Sequence, residues 1–316
     1  MSEARFQDQV DRAARAPAEN GWPKISVITP SFNQGRFLEQ TIRSVLDQGY
    51  PNLEYIIMDG GSGDNSVEVI RRYGDFLARW ESEPDRGQAH AINKGMQHAT
   101  GDILCWINSD DWYLPGALYS AAIEFRRRDV NFVYGGCLLR RESSANDYFV
   151  RMPQTLHKIS TDLRVFDFID QPSSFWSRRV WEAVGPLDES LHYAFDWDFF
   201  IRVSQAFALK CSECVFSAYR HHDEHKSGTG GDQRLAELVE IIKRYSTEDW
   251  VSAYEECRQQ LLPASRKLVS SLNGKTGFIG ASRLYEMKKK ALLKGPIQRH
   301  GADKIRIESI MTGIEM

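Results

Sequence analysis

Residues 24–128 alternate short apolar runs with amphipathic stretches four times over, and that order excludes most folds. Ile25-Ser26-Val27-Ile28-Thr29, stopped by Pro30, is a β-branched run of strand length, and Leu53-Glu54-Tyr55-Ile56-Ile57-Met58-Asp59 is a second. Residues 77–81 offer a third strand and Ile103-Leu104-Cys105-Trp106-Ile107 a fourth. Between them Leu38, Ile42, Val45 and Leu46 recur at helical spacing until Gly49-Tyr50-Pro51. Val67, Val69 and Ile70 then follow the cap candidates Asp64 and Asn65. Helices over 88–100, closed by Gly101, and over about 115–128, with Pro115 in a first turn that tolerates it, complete the set. This order specifies an α/β fold, a mostly parallel sheet with helices on both faces.

In such a sheet the carboxyl ends of the strands share one rim, and ligands bind there. The ends here carry Pro30-Ser31, Asp59-Gly60 and Asn108-Ser109-Asp110-Asp111, so Asp59 and Asp110 are expected to be neighbours. Adjacent carboxylates repel unless a cation or a set of donors offsets them. A strand that ends on such a pair is how an open α/β sheet presents a hard cation to a ligand. The structural alternative is a solvated turn in which Ser109 or Asp111 caps the next helix. Gly60, Gly61 and Gly63 let a ligand approach the backbone, but they fit neither G-x-G-x-x-G nor the P-loop. A dinucleotide-binding dehydrogenase is therefore disfavoured.

The chain has 316 residues, enough for one large domain plus an appendage. Its net charge of −3 gives no general affinity for nucleic acid. No apolar run approaches the roughly 20 residues that span a bilayer, and the polar start, rich in Ala, Arg and Asp, lacks the apolar stretch of a secretory signal. Five scattered cysteines suit a reducing compartment. Cys211-Ser212-Glu213-Cys214 lies in a strand-like run that puts positions i and i+3 on opposite faces, so it reads as two packed thiols rather than a metal or redox pair.

Four segments, in this order and spacing, resemble the family 2 glycosyltransferases. They are Ser26 to Asn33 (SVITPSFN), Met58 to Ser66 (MDGGSGDNS), Asp85 to Gly95 (DRGQAHAINKG) and Asn108 to Asp111 (NSDD). The resemblance covers about residues 24–230 and implies a GT-A fold. By that resemblance Thr29, Pro30, Ser31 and Asp59 hold the nucleotide, and Arg86 lies near the nucleotide or its phosphates. Asp110 touches the ribose or donor sugar, and Asp111 binds Mg²⁺ or Mn²⁺ at the diphosphate. The plainer role for Arg86 is a surface pair with Asp85. Gly60 stands where uridine-using members commonly carry a second acid, which leaves the base of the donor open.

A second acidic motif, Phe195-Asp196-Trp197-Asp198-Phe199, resembles the family's catalytic segment and implies Asp196 as the base that takes the acceptor proton. Its aromatic neighbours would raise its pKa by desolvation. Asp198 is the rival, with an ion pair to Arg202 at i+4 as its plainer role. Arg220 and His222 match the family's Arg-x-His, which implies His222 as a further metal ligand; a solvated loop histidine is the alternative. Trp112, beside the acid pair, is the best sugar-stacking candidate, and residues 227–231 form a candidate closing loop.

The domain reading follows. Residues 1–22 are a flexible lead-in; 23–231 form the GT-A domain, with a nucleotide-sugar half (23–130) and an acceptor half (131–231); 232–316 form a helical extension. The expected activity is metal-dependent, inverting transfer from a nucleotide-sugar donor to a glycan or lipid-linked acceptor, in polysaccharide or surface-glycan synthesis. A sugar nucleotidyltransferase of similar fold would need a basic Gly-rich loop near Thr29, which is missing. A silent binding subunit would not need all of Asp59, Asp110, Asp111 and Asp196. The expected location is the cytoplasm. Basic residues over 283–299, set among leucines, also suit contact with the inner face of a membrane or with a partner subunit in an oligomer.

Overall fold

β1 (Ile25–Ser31) is buried along its whole length, as a strand covered on both faces must be. In the computed structural model, residues 21–142, 148–153, 162–226 and 230–256 are described. β1 is followed by α1 (Gly35–Leu46), β2 (Leu53–Asp59), α2 (Ser66–Arg72), β3 (Arg79–Ser82), α3 (Gln88–His98) and β4 (Ile103–Trp106). Parallel pairing gives the order β3-β2-β1-β4, the half expected from the alternation. α1 turns Phe37, Leu38, Thr41, Ile42 and Val45 inward. Of these, Leu38, Ile42 and Val45 join Val69 and Ile70 of α2 in one core with Ile25, Val27, Tyr55 and Ile57.

The second half is mixed. It comprises β5 (Trp112–Tyr113), α4 (Ala117–Glu124), β6 (Phe132–Arg141), β7 (Tyr148–Arg151), β8 (Ser174–Ser177), α5 (Arg178–Val184), α6 (Phe195–Ala206) and β9 (Leu209–His221). β8 is antiparallel to both β4 and β6, β9 is parallel to β6, and β5 is antiparallel to β9. The described residues thus form one nine-stranded sheet in the order β3-β2-β1-β4-β8-β6-β9-β5, with β7 on β6. β6 runs far beyond the three residues legible in sequence, because its long parallel partner β9 supplies the ladder. α4 starts two residues later than Pro115 suggested, since Gly116 is left-handed (φ 78°) and ends the preceding turn.

Aromatic side chains fix α6 to the middle of the sheet. Trp106 and Trp176 meet edge-on at 5.2 Å, Phe199 lies 5.1 Å from Trp176, and Phe132 stacks on Trp176 at 6.2 Å. These tryptophans are core residues. Cys211 and Cys214 are free thiols on β9, as expected of packed cysteines.

The amino-terminal end of the sheet is tied by charge. Glu54 on β2 accepts hydrogen bonds from Lys24 Nζ and from both the N–H and the hydroxyl of Thr100, each at 2.6 Å, and from Ser26 Oγ. Burial would raise its pKa, but these donors, Lys24 foremost, win and hold it down at about 2. A depressed carboxylate stabilises the fold above its unfolded value of 4.5 and ceases to as pH falls towards 2. Glu54→Gln is therefore expected to lower stability at pH 7 by about 1–3 kcal/mol, the scale of hydrogen bonds to a charged acceptor. Its stability should also fall less steeply than wild type between pH 4.5 and 2 in denaturant titrations.

The chain divides into two compact units, residues 1–161 with 168–221 and residues 162–167 with 222–316. In the second, α7 (Gly231–Tyr245) buries Leu235, Leu238, Val239 and Ile242, the face expected from their spacing, together with Ile241. α8 (Glu248–Glu256) follows. Tyr254 donates to the Val165 carbonyl at 2.6 Å, and the Trp250 ring meets Phe166 edge-on at 5.7 Å. The basic segment over 283–299, the lead-in 1–20 and residues 227–229 lie outside the described residues. Among the described residues no helix is long and apolar enough to cross a membrane.

Candidate active site

β4 stops at Trp106, and the chain turns so that the Asp111 N–H donates to the Asn108 carbonyl at 3.1 Å. Thr41 of α1 fixes this turn from behind, donating to the Ser109 and Asp111 carbonyls at 2.9 and 2.6 Å. Arg220, near the end of β9, clasps it from the other side. Its N–H donates to Asp111 Oδ1 at 3.0 Å, its Nε to the Asp110 carbonyl at 2.9 Å, and its Nη2 to Gln40 Oε1 at 2.6 Å. The guanidinium lies 4.6 Å from the ring centre of Phe37 and 4.7 Å from that of Trp112.

Asp111 is only 1 % exposed. Burial, then the neighbouring charge of Asp110, pushes its carboxyl well above the ordinary range, and the donors Arg220 and Asn108 only partly offset this. Arg220 is lowered by its own burial, against the pull of Asp111. A buried carboxylate in this state is completed by a proton or by a cation, and half-exposed Asp110 beside it makes a set of hard oxygen donors. Magnesium and manganese are commonly held by one or two carboxylates plus substrate phosphates. Thus the pair fits such an ion, even though no group of three or more His, Cys, Asp or Glu gathers among the described residues.

Arg220 was visible in the sequence only as half of Arg-x-His, with no role of its own. Arg220→Ala is expected to cost about 2–3 kcal/mol through the lost stacking and hydrogen bonds. Arg220→Lys should recover only part, because an ammonium cannot bridge Asp110 and Gln40 while stacked between two rings. Thermal melts of the two variants check this. Trp112 is corrected by the same geometry. It is buried, with Arg220 and, at 5.9 Å, Arg140 over its ring, so it braces the clasp instead of offering a face to a sugar.

The other end of the rim is built on β1 and β2. Asp59 and Ser31 are partners in the ladder, and β1 lies between β2 and β4. Asp59 thus ends one strand of the rim and Asp110 follows another, with β1 between those two strands. Asp59 is buried and its carboxylate is taken up by its own loop. Oδ2 accepts from the Gly61 and Ser62 N–H groups at 3.1 and 2.9 Å and from Ser82 Oγ at 2.7 Å, and Oδ1 accepts from Ser62 Oγ at 2.6 Å. Thr29 is fully buried with its hydroxyl 3.0 Å from that of Tyr55, so its side chain faces the core. Pro30 and Ser31 are buried at the strand end, and Ser31 Oγ has no hydrogen-bond partner among the described residues. Phe32 stands exposed beside them. Its neighbour Asn33, left-handed at φ 52°, exchanges 2.8 Å hydrogen bonds with the Ser62 hydroxyl and the Gly63 N–H. In sequence Phe32 appeared only within the Ser26 to Asn33 segment, since nothing local says that its ring stays outside the core.

Arg86 is exposed and pairs with Glu189, through Nε at 3.1 Å and Nη2 at 2.6 Å, not with Asp85. Glu189 is fixed in turn by Asn93 at 3.0 Å. Gln88 at the start of α3 donates to Asn108 at 2.6 Å, Asn108 donates to Gln171 at 3.2 Å, and Gln171 donates to the Trp106 carbonyl at 2.9 Å. This amide chain links the acid turn to the short turn that leads into β8.

On α6, Asp198 is buried and bound to Arg202 Nε at 2.8 Å, and Arg202 also reaches the Val184 and Pro186 carbonyls. It thus has the structural role foreseen as its plainer one. Asp196 is half-exposed in the first turn and accepts from the Trp197 N–H at 2.8 Å. The adjacent Phe195 ring lies 6.4 Å from Trp106, at the end of β4, which ties the start of α6 to the strand carrying the acid turn. His222 opens the second unit; its carbonyl accepts from the His225 N–H at 3.2 Å and its ring lies 5.9 Å from that of His225.

Comparison with known proteins agrees with this arrangement. Residues 26–180 match the model of glycosyl transferase family 2. An uncharacterized glycosyltransferase of Mycobacterium tuberculosis is 29% identical over 228 residues, covering 68% of this chain and 84% of the relative. TuaG of Bacillus subtilis, a glycosyltransferase named for teichuronic acid biosynthesis, is 32% identical over 141 residues, 43% of this chain and 56% of its own. Among solved structures, the mannosyltransferase PcManGT of Pyrobaculum calidifontis, in complex with GDP-Man and Mn²⁺, superposes with a TM-score of 0.60 at 17% identity, covering 97% of this chain and 92% of that one. S. aureus TarS in complex with UDP-GlcNAc gives 0.52 at 14% identity and 92% coverage of each. The order of strands, the acid turn at the carboxyl rim and the matched residues together make this chain a family 2 glycosyltransferase with a GT-A fold.

Proposed function

We propose that the chain transfers a sugar, with inversion, from a nucleoside-diphosphate sugar to a hydroxyl of a glycan or lipid-linked acceptor, assisted by a divalent cation. The observation that carries this is the buried Asp111 carboxylate beside Asp110 at the point where strand order reverses, between β1 and β4. Asp111 and Asp110 would hold Mg²⁺ or Mn²⁺. Bound there, the ion supplies charge neutralisation to the departing diphosphate. The loop shaped by Asp59 and the strand end Thr29-Pro30-Ser31 receive the nucleoside through backbone groups. The exposed ring of Phe32 offers a stacking face for the base.

Asp196 takes the proton of the acceptor hydroxyl as its oxygen attacks the anomeric carbon, and the bond to the diphosphate breaks on the opposite side. One carboxylate suffices for such a displacement, and Asp198 is already committed to Arg202. The complexes of PcManGT and TarS with sugar nucleotides support the donor class. The name of TuaG supports a surface polysaccharide as destination.

A panel of nucleotide sugars, scanned by thermal shift with Mn²⁺ and with EDTA, tests this. At least one donor should raise the melting temperature only with the metal, because tight ligands stabilise by linkage. No metal-dependent shift with any donor would overturn it.

A further inference from the structure

The loops leaving β2 and β3 fold together at the corner of the rim away from the acid turn. The Glu83 N–H donates to the Asp59 carbonyl at 3.0 Å, and the Gly60 N–H to the Ser31 carbonyl at 2.8 Å, so both backbones are fixed there. Into this corner the β3 loop delivers Asp85. Its Oδ1 accepts from the Gly87 N–H at 2.7 Å, and Oδ2 has no hydrogen-bond partner among the described residues. A Cβ placed on Gly60 would lie 2.7 Å from that Oδ2. The space that a side chain at position 60 would fill is thus occupied by a carboxylate from another loop. Asp59, by contrast, spends both oxygens on Gly61, Ser62 and Ser82.

We infer that Asp85 is the residue that selects the donor's nucleobase, accepting a hydrogen bond from a ring N–H such as that of uracil or guanine. The inference rests on the glycosyl-transfer reading, in which the diphosphate lies at Asp110-Asp111. The nucleoside then extends across the end of β1 to the Gly60 corner, about two strand spacings away. Asp85 Oδ2 is an ionisable acceptor with capacity left at that corner, and a carboxylate can only accept. Gly60 is required because any side chain there would evict it. The loss of an acid at position 60 therefore moves base recognition to the next loop; it does not abolish it.

Calorimetry on the full chain with Mn²⁺ tests this, using UDP, GDP and the base-free ribose 5-diphosphate. Asp85→Ala should weaken whichever nucleoside diphosphate the wild type prefers by about 10–100-fold, the scale of one hydrogen bond to a charged acceptor. Ribose 5-diphosphate should bind within about twofold of wild type. Gly60→Ala keeps the aspartate but displaces its flexible end, and should give the same selective loss with an unchanged melting temperature. Equal binding of the preferred nucleoside diphosphate by wild type and Asp85→Ala would overturn the assignment, as would equal weakening of both ligands. A wild type that binds neither UDP nor GDP would overturn this assignment, and the glycosyl-transfer reading falls with it only if the donor panel also gives no metal-dependent shift.

Discussion

Asp111→Asn is expected to melt at a higher temperature than wild type in the absence of metal while losing at least about a thousandfold in transfer, the scale of removing a principal electrostatic contact. The first effect follows from the sign of the titration. The folded-state pKa of Asp111 lies well above its ordinary 3.8, so between those two values the folded chain holds a proton that the unfolded chain has released. Stability falls as pH rises through that window, and the full penalty remains above it. An amide of the same shape removes the penalty and can still accept the Arg220 N–H. The gain should thus be absent at pH 3, grow above pH 4 and level off. Melting curves in EDTA across pH read the first effect; the same curves with Mn²⁺ and nucleoside diphosphate, and a transfer assay with a donor, read the second. A variant that melts lower and keeps the metal-dependent shift would make Asp111 a turn residue and nothing more.

Asp196→Asn should leave donor affinity within about twofold and lower kcat by about 10²–10⁴, the usual contribution of a general base. Asp198→Asn should leave kcat within about tenfold and lower stability instead. Its partner Arg202 also holds the Val184 and Pro186 carbonyls, so loosening that pair costs about 3 kcal/mol, as for other broken buried pairs. Donor titration, turnover and denaturant unfolding of both variants separate the two roles. If Asp198→Asn kept its stability and lost turnover while Asp196→Asn stayed active, the base would lie two residues further along α6.

What could be read from sequence was whatever local periodicity writes down. The four parallel strands and their helices were legible because a buried parallel strand is a plain apolar run and an amphipathic helix repeats its apolar positions. The rim followed from topology, and with it Asp59, Ser31 and the acid turn. β5 was not legible, since a two-residue strand has no period and exists only because β9 pairs with it. The order of strands across the sheet was equally hidden: nothing local says that β1 lies between the strand ending at Asp59 and the strand leading to the acid turn. Long-range side-chain partners lay out of reach for the same reason. Nothing local announces that Arg220 will reach back 109 residues to Asp111, or that Arg86 will pair with Glu189 instead of the adjacent Asp85. Trp112 was misread because proximity in sequence to a site does not say which face of a ring is already covered.

The strands that carry this rim are anchored at their opposite ends. Glu54, Lys24, Ser26 and Thr100 knot the start of β1 and β2, and Arg178 ties the Ala99 and Gly101 carbonyls at 3.0 and 2.7 Å just before β4. A separate set of ties thus holds the amino-terminal ends of these strands, a strand's length from the loops of the carboxyl rim. The loops after β2 and β3 can change in composition without touching the ties made by Glu54 and Arg178. A scaffold with that separation can acquire a new donor through a few loop substitutions while its folding remains intact.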